Sequence, residues 1–203
     1  SVRTGARPPG TKPDGLPCSG LSDLEALLSG VDLARVPVVL DAGANAPAVA
    51  ACYLALAAKR GISGEALQGS FGGDPLGSVA QDGRAPYDFE TARALAVELI
   101  GLAEKRAPQM RSLVVSTTPY HDAGATGAHE IGIALCTALT YLRWAIEAGV
   151  PVDRASAQLE FRVGIAGDLF AELAKLRALR LGYAKLIAAL GGDDASQNVL
   201  LHA

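Results

Sequence analysis

Leu113–Ala148 reads LVVSTTPYHDAGATGAHEIGIALCTALTYLRWAIEA. An apolar run passes into the hydroxyls Ser116, Thr117 and Thr118, then into a polar turn, then into Gly127–Ala148, which is Ala- and Leu-rich at helical spacing. This is a strand followed by a helix, and the unit recurs in both directions. Short apolar runs stand at Val36–Leu40 (VPVVL), Leu67–Phe71, Leu159–Val163 (LEFRV) and, weakly, Val199–Leu201. Between them lie the helical stretches Ala46–Arg60, Asp88–Arg106 and Asp168–Leu190, whose alanines carry the best intrinsic helix propensity. Asn45 before Ala46-Pro47 reads as a helix N-cap, and Gly61, Gly149 and Gly191 read as helix stops. Pro37 weakens the first strand. Gly72–Arg84 reads as a short helix or an irregular loop. Repeated strand–helix units predict an α/β chain with parallel strands and right-handed crossovers. Four or five units suit either a small doubly wound sheet or a piece of a (β/α)8 barrel, which needs eight strands; composition does not separate the two.

The 203 residues suffice for one domain. A hydrophobic content of 50%, a charged content of 19% and a mean hydropathy of +0.25 exclude a disordered chain. No apolar run approaches the roughly 20 residues of a spanning helix, so no membrane association is expected. The net charge of −3 gives no basic field for nucleic acid. Cys18, Cys52 and Cys136 fit neither a disulfide framework nor a zinc spacing, which points to a reducing, cytoplasmic compartment. Ser1–Gly15 has no apolar core of a secretory signal, and residues 1–20 read as a Pro- and Gly-rich lead-in.

Tyr120 and His121 are the leading candidates for chemistry. They follow a strand's C-terminal end, where α/β folds bind ligands, and both donate hydrogen bonds or protons. A Pro-containing turn with a capping Asp122 explains the same residues without function. Gly69–Gly77 is glycine-rich, yet its spacing fits no phosphate loop, and a tight turn capped by Asp74 explains it better. Asp41 stands at a site-like position after the first strand. In Glu160-Phe161-Arg162 two charges alternate within a strand, a costly arrangement in an open sheet unless paired; in a barrel one charge can face the lumen or a subunit interface. His129-Glu130 lacks a second histidine at i+4, so a surface or helix-packing role is expected instead of a metal. Trp144 and Tyr141 read as core.

Tyr120-His121-Asp122-Ala123-Gly124-Ala125-Thr126, then Glu130 and Tyr141-Leu142-Arg143, resembles the methylmalonyl-CoA mutase family. The resemblance continues upstream through Leu24–Leu33, Val38–Pro47 and Tyr53–Leu56. Downstream it runs through Ala148–Asp153 and Phe170–Arg180 (FAELAKLRALR), and it covers about residues 20–203. It implies a portion of the acyl-CoA-binding (β/α)8 barrel over 21–203, with the cobalamin-binding domain absent from this chain. The implied chemistry is the adenosylcobalamin-dependent interconversion of methylmalonyl-CoA and succinyl-CoA, in which the cofactor carries the hard radical step.

In catalytic members a Tyr-His pair contacts the thioester carbonyl, and Tyr120 and His121 match it. Ser116, Thr117 and Thr118 match small polar side chains lining the substrate channel. Other matches fail. The family's substrate-contacting glutamine falls at Gly72, and its carboxylate-binding arginine falls near Gln81-Asp82, with Arg84 a shifted substitute. Gly72–Gly77 and Glu160–Arg162 look like the small, non-catalytic subunit of heterodimeric mutases, which implies a catalytic large subunit as partner. A catalytic mutase chain of altered acyl specificity is the alternative.

Overall fold

The computed structural model describes residues 18, 20–84 and 86–202, so the expected lead-in lies outside them apart from Cys18 and Gly20. Along the chain run α1 (Leu21–Leu27), β1 (Val38–Val39), α2 (Ala46–Lys59), a 3-10 turn (Gly64–Ala66), β2 (Gly69–Gly73), α3 (Pro75–Asp82) and α4 (Phe89–Arg106). There follow β3 (Met110–Ser116), α5 (Thr118–Asp122), α6 (Gly127–Glu147), α7 (Val152–Ala157), β4 (Leu159–Arg162), α8 (Leu169–Ala189) and β5 (Leu201–His202). The strand order is β1-β2-β3-β4-β5, and the pairs β1–β2, β2–β3 and β4–β5 are parallel. The chain is therefore an α/β fold of parallel strands alternating with helices. Its strand order never reverses, whereas a doubly wound sheet turns back at a switch point. Two compact units divide it: residues up to Pro75 with Pro86–Leu113, and Leu76–Arg84 with Val114 onward.

The first unit packs α2 and α4 on β1, β2 and the start of β3. Leu40, Tyr53, Leu56, Phe71, Leu99, Ile100 and Leu113 are buried there, and the Tyr53 and Phe71 rings meet edge to face at 6.4 Å. α1 stops at Leu27, and the chain turns at Gly30 with φ +77°. Arg60, at the end of α2, donates to the carbonyls of Leu28 (3.1 Å) and Val31 (3.2 Å), just past the end of α1. Asp88 caps α4 by accepting from Thr91 N–H at 2.7 Å. Asn45 stands at the cap position of α2, but its side chain makes no capping hydrogen bond. Its φ of −90° and ψ of 7° depart from the extended conformation a side-chain cap requires.

β2 carries the unit's one register irregularity. Ser70 pairs with Arg111 and Gly73 with Leu113, so three steps on β2 oppose two on β3. The extra residue is a bulge, of the kind found beside functional sites. Within it Gly72 takes φ +68°, and a Cβ there would lie 1.9 Å from the Leu40 carbonyl oxygen.

In the second unit, Leu76 onward of α3 resolves the Gly72–Arg84 ambiguity as a helix, and Leu76 N–H donates to the buried Tyr141 hydroxyl at 3.1 Å. Trp144 lies 5.4 Å from Tyr141, in the core as expected. Phe161 of β4 packs edge to face on Tyr183 of α8 at 5.0 Å. The Tyr183 hydroxyl shares a hydrogen bond with Ser156 of α7 at 2.8 Å, and Ser156 donates to the Ser196 carbonyl at 2.6 Å. Asp168 caps α8 by accepting from Phe170 and Ala171 N–H, both at 3.1 Å.

Candidate functional site

β3 ends at Ser116, and Thr117 turns the chain into α5. Pro119 sits in the first turn of that helix, where its missing N–H costs nothing. Thr117 N–H donates to the Arg162 carbonyl at 2.9 Å, tying the turn to the end of β4. The one-and-a-half turns of α5 bring Tyr120 and His121 to half-buried positions. Ser116 and Thr118 share a hydrogen bond between their hydroxyls, Ser116 half-buried and Thr118 exposed. Arg84 lies exposed on the separate segment after α3.

Glu130 is the residue that spacing misread. Instead of facing solvent or packing bare against a helix, its side chain is 2% exposed, and three donors converge on it. Thr117 Oγ1 donates to Oε2 at 2.8 Å, while His121 Nδ1 (2.9 Å) and Lys175 Nζ (3.0 Å) reach Oε1. Lys175, itself buried, also donates to the Gly164 carbonyl at 2.7 Å and pairs with Glu172 at 2.6 Å. The first turn of α6 further favours a carboxylate there. Burial pushes the Glu130 carboxyl up. The hydrogen bonds from His121, Lys175 and Thr117, with the Lys175 charge, outweigh that and hold it below its usual value. Burial likewise pushes Lys175 down, and its hydrogen bonds and charge interactions with Glu172 and Glu130 bring it above its ordinary value. Because an ionised carboxylate only accepts, the His121 hydrogen is assigned to Nδ1. The signal that could have found this cluster is the Glu172–Lys175 pair at i, i+3 on an otherwise Ala- and Leu-rich helix.

Two other places bear on binding. Glu160 (1% exposed) pairs with Arg162 at 3.0 Å and lies 3.5 Å from His202 Nε2, so the strand charges are compensated. Phe161, between them, points the other way onto Tyr183. In the first unit a small, mainly apolar pocket is lined by Gly43, Ala44, Gly73, Tyr87, Leu99 and Leu113. The Tyr87 hydroxyl donates to the Ala44 carbonyl there. The pocket is far too small to hold a drug-sized ligand. Among the described residues no cluster of three metal-ligating side chains occurs, and no helix is long and apolar enough to cross a membrane.

A sequence model of the family described as "Methylmalonyl-CoA mutase" matches residues 11–203. The chain belongs to the methylmalonyl-CoA mutase family. Its relatives include the methylmalonyl-CoA mutase small subunit of Streptomyces virginiae, 41% identical over 93% of this chain and 29% of that protein. The probable methylmalonyl-CoA mutase small subunit of Mycobacterium bovis is 36% identical over 89% of this chain and 28% of its own length. The probable large subunit of the same organism is 27% identical over 89% of this chain and 24% of its length. The chain thus spans less than a third of each of these relatives. Within the family it is nearer to small subunits than to that large subunit.

Proposed function

We propose that this chain is part of the small, non-catalytic subunit of a methylmalonyl-CoA mutase-type enzyme, a portion of a (β/α)8 barrel that supports a catalytic large subunit. The observation that carries the reading is Gly72. By the resemblance the family's substrate-contacting glutamine falls there, and the backbone at φ +68° with the Leu40 carbonyl 1.9 Å from a Cβ position admits no side chain. The greater similarity to small subunits and the exposed Asp82, where an anionic acyl group would meet like charge, support the same reading. The unreversed strand order supports the barrel.

Adenosylcobalamin belongs to the assembled enzyme and is held mainly outside this chain. This chain's own part is mechanical, with Thr117, Glu130 and Lys175 fixing α5, α6 and α8 around the end of β3. We place it in the cytoplasm, a reading that its three free cysteines support.

Tyr120 and His121 favour a second reading, a catalytic chain of altered acyl specificity with Ser116, Thr118 and Arg84 meeting the substrate. One assay separates the two: succinyl-CoA formation from methylmalonyl-CoA with adenosylcobalamin, using the full-length gene product alone and with its large partner. Turnover only with the partner is expected. Turnover by the full-length product alone overturns the proposal and turns attention to Arg84.

A further inference from the structure

We propose that His121 is kept in this chain as a structural donor to the buried Glu130 carboxylate, and that Gly164 is the position that makes room for its ring. The proposal rests on the non-catalytic reading in one respect only, that the imidazole meets no substrate. A carboxylate 2% exposed is tolerable only when donors surround it, and the ring nitrogen is one of three. The Gly164 backbone lies outside the left-handed region, so its conformation does not ask for glycine. The space does. A Cβ at 164 would lie 2.3 Å from His121 Cγ, 2.5 Å from Cδ2 and 2.7 Å from Nδ1. The same glycine's carbonyl accepts from Lys175 Nζ at 2.7 Å. Imidazole, carboxylate, ammonium and the Gly164 peptide therefore form a closed set joining α5, α6, α8 and the segment after β4.

The test is hydrogen exchange of the α6 and α8 amides in the full-length chain. The variants are His121→Ala, Gly164→Ala, the double variant and His121→Asn, whose side-chain amide nitrogen overlays Nδ1. Losing one hydrogen bond to a buried charge is expected to lower protection by roughly 10- to 100-fold in His121→Ala. Gly164→Ala is expected to lower it too, by displacing the ring. The double variant is expected to be no worse than His121→Ala, because the methyl then occupies the space the ring has left. His121→Asn is expected to recover most of the loss. Unchanged protection in His121→Ala, losses that multiply in the double variant, or an asparagine no better than alanine each overturn the proposal. If Gly164→Ala alone does not fold, recovery in the double variant still decides. Failure of the non-catalytic reading shows separately, as turnover by the full-length chain without its partner, which exchange does not register.

Discussion

Glu130 and Lys175 depend on each other, and pH shows how. The Glu130 carboxyl is held below its ordinary 4.5, so its contribution to stability is present above that value and is lost as pH falls through the folded one. Lys175 is raised above 10.5, so its contribution is present below that value and is lost as pH rises beyond it. This cluster's share of the urea-unfolding midpoint is therefore expected to be flat from about pH 6 to 9 and to fall in acid. Lys175→Met should cost roughly 3–5 kcal/mol, since it leaves a buried carboxylate undercompensated. It should also reverse this cluster's acid limb, because burial then prevails over the remaining donors and protonating Glu130 relieves the variant; an acid limb that stays as it was would refute the assignment. Tyr53 is the contrary case. Its hydroxyl is buried with no hydrogen-bond partner among the described residues, and burial pushes it up to about 12. Tyr53→Phe is expected to leave the unfolding midpoint unchanged or raise it by up to about 1 kcal/mol, whereas a loss of that size would reveal a hidden acceptor. Glu130 was hard to find in the sequence because local spacing was asked about a metal, while its partner Lys175 lies 45 positions away.

At the level of elements, alternation of apolar runs with Ala- and Leu-rich stretches was enough to place all five strands and the four long helices, because burial imposes both periods directly. Asn45 shows the limit. The residue type fits a cap, but the backbone around Pro47 does not present its side chain to the helix. The bulge in β2 was beyond reach, since register depends on the partner strand and not on β2 itself. Gly72→Gln is expected to destabilise by about 3 kcal/mol or more and to restore no substrate binding, read by urea unfolding and by acyl-CoA titration of the full-length chain. A stable variant that binds acyl-CoA would refute the account of β2. Phe161→Ala should cost roughly 3–5 kcal/mol by opening a cavity against Tyr183, and a loss under 1 kcal/mol would mean that α8 holds to β4 through its polar contacts instead.

For the whole molecule, the sequence left a choice between a doubly wound sheet and a barrel fragment, and composition is blind to it because both bury the same kinds of strand. Strand order discriminates, and it is a property of long-range pairing. The substrate contacts that the proposed reading takes to be missing are legible as residue identities at Gly72 and Asp82; that position 72 has no room for a replacement is not. That want of room gives the chain's history a direction. Any side chain introduced at 72 strains the fold before it could regain a contact, unless the extra residue of β2 is deleted at the same time. A deletion and a substitution that must coincide are rare under selection, so on the proposed non-catalytic reading such a loss acts as a ratchet: descendants can refine a supporting role one mutation at a time, but cannot walk back to catalysis by the same route.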